Sequence, residues 1–122
     1  MAYDIIVGRT DADRKALGIK GTIFLGKHYV RMGETVSLSN RVLLDVARTH
    51  VILVSGKRGS GKSYSLSVIA EEMAKLPEDI SKNLAILMFD TMGVFWTMKY
   101  PNERDEHLLE QWKLKPQSLN IN

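Results

Sequence analysis

The rhythm of apolar and polar positions changes near residue 50. Before it, short apolar or alternating runs at 3–7, 22–25, 29–31, 35–38 and 42–44 are each bounded by turn residues and read as short strands. Gly8, Gly18, Gly21, Gly26, Gly33 and the pair Ser39 and Asn40 supply the breaks. This predicts a small β-rich subdomain over 1–47, a meander or part of a barrel, with a single helical turn at 11–17.

After residue 50 the runs lengthen. Residues 51–54 (Val-Ile-Leu-Val) form a continuous apolar, β-branched run, as expected of a strand buried on both faces of a parallel sheet. A glycine-rich loop follows. Residues 62–76 then place Leu66, Ile69, Met73 and Leu76 at helical spacing, with Glu71 and Lys75 paired at i,i+4 on the wet side, and Pro77 ends the helix. A second apolar run at 84–89 completes strand, loop, helix and strand, one right-handed βαβ unit if both strands are parallel in one sheet. Beyond Asp90 an amphipathic helix capped near Asn102 would turn Leu108, Leu109 and Trp112 inward, and 119–122 reads as the start of another strand. A sheet of so few strands buries its two faces poorly, so the expectation is an incomplete core, the N-terminal piece of a longer protein.

Composition keeps this picture within the soluble globular class. Hydrophobic residues make up 44% and charged residues 25%, no apolar run approaches the roughly 18 residues of a membrane span, and no leader pattern opens the chain. A cytoplasmic protein with no membrane association is expected. The absence of cysteine excludes disulfides and thiolate metal sites. Charge is uneven: residues 1–61 carry 10 Lys and Arg against 5 Asp and Glu, while 62–122 carry 7 against 9. A basic first half points weakly to a polyanion, and equally to a solvated surface.

The chemistry concentrates in Gly56-Lys57-Arg58-Gly59-Ser60-Gly61-Lys62-Ser63, which matches G-x-x-x-x-G-K-[ST] at every fixed position. A chance match in a chain this long is roughly a 0.5% event on average residue frequencies. Glycines let such a loop curl so that backbone N–H groups converge on an anion at a helix N-terminus. Gly56, Gly59, Ser60, Gly61, Lys62 and Ser63 are the expected nucleotide-binding residues. Lys62 would reach the β and γ phosphates and Ser63 would hold Mg²⁺, which implies ATP and Mg²⁺ as ligands.

Asp90 ends the second apolar run, where ligands of open α/β sheets bind. Four readings stay open for it: a magnesium-shell aspartate, an organiser of a neighbouring loop, the Asp-x-x-Gly of a GTPase switch with Gly93, or a cap of its own turn. His28 and His50 read as surface or cap residues, Arg48 as solvated or near a phosphate, and Trp96 and Tyr100 as packing residues.

The stretch Leu25-Gly26-Lys27-His28 through Arg31-Met32-Gly33, then Leu44-Asp45, then His50-Val51-Ile52-Leu53-Val54-Ser55 into the P-loop, resembles the HerA branch of the HerA/FtsK superfamily, chiefly archaeal ATPases. The resemblance implies a small β-barrel followed by the start of a RecA-like P-loop core, here 48–122, in an ATP-driven, hexameric translocase of double-stranded DNA. It gives Lys62 and Ser63 the standard P-loop roles and places Asp90 on the aspartate after the second core strand. Relatives often continue Asp-Pro-x-Gly-Glu there; this chain has Asp90-Thr91-Met92-Gly93-Val94, so the glutamate's role does not transfer. The Walker B aspartate with its catalytic glutamate, the sensor and the arginine finger have no counterpart in this sequence, so the chain by itself is expected to bind nucleotide weakly and hydrolyse almost none. A nucleotide-binding module and a GTPase-like switch are the alternatives, though no Asn-Lys-x-Asp base-reading motif occurs.

Overall fold

The alternation across 22–44 resolves into two long strands rather than four short ones. In the computed structural model, which describes residues 3–120, β2 (Thr22–Met32) and β3 (Thr35–Asp45) form one antiparallel hairpin. Its two-residue turn begins at Gly33, whose φ of +63° is the positive value that tight hairpin turns demand. The breaks expected at Gly26 and at Ser39 and Asn40 are irregularities inside the ladder. Two steps on β2 match one on β3 between Phe24 and Gly26, and two match three between Lys27 and Tyr29. A glycine in an alternating run marks a bulge as readily as a turn, and the pattern alone does not separate the two.

β1 (Ile5–Val7) pairs in parallel with β3 on its other side, giving the order β1-β3-β2. Among the described residues this is a mixed, open, three-stranded sheet, not a simple meander, and no barrel closure is seen. α1 (Asp11–Leu17) leads from β1 to β2; Thr10 caps it, its hydroxyl accepting from the Asp13 N–H at 3.2 Å. Asn40, expected in a turn, lies buried in β3 and accepts from the Tyr3 N–H at 3.1 Å.

α2 (Lys62–Ala74) packs against β2, and its Ala70 joins Ile6, Ile23, Leu43 and Leu44 among the buried apolar residues. Ile69, Met73 and Leu76 are half-buried as the helical spacing requires, whereas Leu66 is exposed. Lys75 pairs with Glu72 at 3.1 Å rather than with Glu71. Pro77 separates α2 from a short α3 (Glu78–Ser81) that the apolar pattern does not reveal.

The two strands expected at 51–54 and 84–89 are not formed. Both segments lack strand pairing among the described residues, and Val51 is 100%, Leu53 88% and Phe89 89% exposed. An apolar β-branched run encodes a preference for burial between layers; without a hydrogen-bonded neighbour its backbone has no ladder to join.

The chain divides into two compact units, Met1–Ala85 and Ile86–Asn122. In the second, a 3₁₀ turn (Phe95–Lys99) carries the buried Met98, whose carbonyl accepts from the Leu119 N–H at 2.9 Å. The strand expected over 119–122 lies partly outside the described residues, and Leu119 and Asn120 belong to no strand. α4 (Glu106–Gln111) begins after Asp105, to which Asn102 donates at 3.1 Å; Leu109 is half-buried, but Leu108 and Trp112 are exposed. Trp96 and Tyr100 are also exposed and meet edge to face at 5.9 Å, so they are not core residues.

Candidate functional site: the P-loop at the head of the second helix

Helix α2 starts without a side-chain cap. Its N-cap is Gly61, at φ +86°, a left-handed conformation that a side chain would strain. Gly59 at φ +77° makes the preceding reversal. Ser60 donates its N–H to the Lys57 carbonyl at 3.1 Å, closing a tight turn inside the loop. Gly56 lies against the Ser60 side chain, where a Cβ would come 3.2 Å from the Ser60 Cβ and closer still to its hydroxyl. A side chain at residue 56 would crowd Ser60 within the loop.

The Lys62 ammonium folds back across this loop, donating to the Gly56 carbonyl at 2.9 Å and to the Lys57 carbonyl at 2.8 Å. Among the described residues, the N–H groups of Gly59, Gly61, Lys62, Ser63 and Tyr64 meet no acceptor; the first helical bond there runs from Ser65 to Gly61 at 2.9 Å. No acidic residue occupies the first turn of α2. The donor set thus suits an anion: five unmatched N–H groups, a helix N-terminus and one ammonium. Ser60 is the exception to the expected run of donors, because its N–H is already spent in the turn. Ser63 is exposed and its hydroxyl lies at the helix start.

Asp90 belongs to the second unit. Its Oδ1 accepts from the Met92 N–H at 3.2 Å and its Oδ2 from the Phe95 N–H at 2.7 Å, so the carboxylate organises the turn that carries Gly93 at φ +63°. Both oxygens retain lone pairs for a further partner. Arg48 is not poised for a phosphate here: its guanidinium donates twice to Asp13 Oδ1, at 2.6 and 3.2 Å. That contact, followed by the Thr10 hydroxyl, holds the Asp13 carboxyl below its usual range. Arg41 is likewise forked onto Asp4, at 2.8 and 2.6 Å, which lowers the Asp4 carboxyl. Lys57, Arg58 and His28 are exposed.

Sequence reasoning missed a buried polar cluster. Asp45 is 0% exposed and takes Arg9, also with a fully buried side chain, on Oδ1 and His50 Nε2 on Oδ2 at 2.8 Å. Burial raises the Asp45 carboxyl, but the His50 and Arg9 hydrogen bonds and the Arg9 charge outweigh it and leave it below the ordinary carboxylate range. The only sequence signal was an aspartate closing the apolar run 42–44, which also describes an ordinary strand end.

A family profile described as "Helicase HerA, central domain" matches residues 26–122. The chain belongs to the HerA central-domain family. The HerA match covers the hairpin from Gly26 onward, the loop 56–63 and the whole second unit, and membership makes this an ATP-binding motor family. No curated protein and no solved structure matches the chain significantly. Among the described residues no helix is long and apolar enough to cross a membrane, and no group of three His, Cys, Asp or Glu side chains is placed to hold a metal.

Proposed function

We propose that this HerA-family chain binds the phosphates of ATP at the loop 56–63, as part of an ATP-driven motor acting on double-stranded DNA. The observation that carries the reading is the set of unmatched N–H groups at the head of α2 with Lys62 lying across the loop mouth. Backbone donors would cradle the phosphates, and Lys62 would exchange its two carbonyl partners for phosphate oxygens. Ser63 would hold the magnesium ion, which would neutralise phosphate charge. Hexamer formation belongs to the same proposal.

One titration tests the ligand. Labelled ATP is bound to the full-length protein with and without magnesium, with GTP as competitor. ATP should displace the label better than GTP, and magnesium should strengthen binding; preferential displacement by GTP would favour a GTPase-like switch instead.

The DNA part has a separate readout. Duplex affinity of the full-length protein should fall steeply as potassium chloride rises and vary little with sequence, because a motor that must pass every sequence depends on phosphate contacts. Replacing Lys27 and Arg31 should lower the salt slope by roughly one unit for each lost contact. Arg41, forked onto Asp4, should contribute less. Absence of duplex binding would remove the motor reading and leave a nucleotide-binding module.

A further inference from the structure

Asp45 gathers more donors than its own turn requires. Oδ1 accepts from Arg9 and, at 3.4 Å, from the Ala47 N–H, while Oδ2 accepts from the Arg48 N–H at 3.2 Å and from His50 Nε2 at 2.8 Å. Arg9 reaches further, donating to the carbonyls of Gly18 at 2.7 Å, Lys20 at 2.8 Å and Gly21 at 3.3 Å. Because β1 and β3 are parallel, their carboxyl ends arrive side by side, and Arg9 and Asp45 follow from one end each. The His50 ring closes the cluster over Gly8, where a Cβ would lie 3.1 Å from the ring.

His50 is also the last residue tied to the sheet before the P-loop. Residues 51–55 make no hydrogen bond among the described residues, so the loop is slung between two fixed points, His50 and the head of α2. We propose that His50 is a positioning residue. Through Asp45 it sets the direction in which the chain leaves the sheet, and so restrains the loop that presents the donors of Gly59, Gly61 and Ser63. The consequence for nucleotide affinity rests on the P-loop reading above; the consequence for loop restraint does not.

Loop length alone predicts little. If the His50 contact is lost, the next tie back is the Arg48 N–H, which lengthens the free span by roughly two residues and changes closure by well under a factor of two. A larger effect would reflect the lost fixed exit direction.

Lys57 and Arg58 are exposed tryptic sites within the loop, so trypsin reads its mobility directly. The full chain is digested under native conditions as parent, His50→Leu and His50→Gln, and initial cleavage at 57 and 58 is compared with that at Lys82 and Arg104. Cleavage in the loop should rise about five- to tenfold in His50→Leu, the scale of one ordinary lost hydrogen bond. It should stay within about twofold of parent in His50→Gln, which keeps a side-chain donor. ATP affinity should fall in the Leu variant and recover in the Gln variant. Unchanged loop cleavage, or equal acceleration at all sites, would overturn the proposal, as would faster loop cleavage with unaltered ATP affinity. A parent that binds no ATP would count against the P-loop reading, and the cleavage ratio would still decide the role of His50.

Discussion

Asp45→Asn is expected to cost about 3–5 kcal/mol of folding stability at neutral pH, the usual result of removing one charge from a buried ion pair. The substitution keeps the shape but replaces an acceptor by an NH₂ group, which would face donors from Arg9 on one side or from Arg48 and His50 on the other. It also leaves the Arg9 guanidinium buried without its counter-charge. Domain stabilities are about 5–15 kcal/mol, so a loss of this size is a large part of the total. The measurement is the denaturant midpoint of parent and variant. A loss under about 1 kcal/mol would mean that the cluster contributes little to folding.

The same carboxylate fixes a pH dependence. Its folded pKa lies below the unfolded value, so the unfolded chain binds the proton more readily. Its contribution is fully present above the unfolded pKa, about 3.9, and is lost as pH falls through the folded one. Parent and Asp45→Asn should therefore converge in stability only below about pH 4.

What could be read in advance follows from how local each signal is. The P-loop and the start of α2 depend on residues within eight positions of one another, where glycine and helix N-terminal chemistry act without help from the rest of the chain. The hairpin was legible as strand but not as two strands, because Gly26 and the pair Ser39 and Asn40 suit a turn or a bulge equally, and the cross-strand register decides. The runs 51–54 and 84–89 state only an appetite for burial; pairing is a property of neighbours, and none is supplied among the described residues. Arg9, Asp45 and His50 are brought together by the parallel β1 and β3 pairing and by the turn after β3, a meeting that no spacing in the sequence announces.

Lys62→Ala is the second large effect expected. The ammonium makes two hydrogen bonds, both to carbonyls of the loop it would serve. Its removal should leave the fold intact, with a thermal midpoint within about 2 °C of parent, since surface changes away from buried networks fall within about 0.5 kcal/mol. Transferred to a phosphate, the same donors would make charge-assisted bonds worth about 1.5–3 kcal/mol, or roughly 10- to 100-fold in affinity. Calorimetric titration of magnesium-ATP into the full-length parent and into Lys62→Ala, with thermal midpoints recorded on the same samples, tests this claim. A loss of about 10- to 100-fold at an unchanged midpoint is the predicted result; equal affinities for the two proteins would contradict a phosphate site at the head of α2.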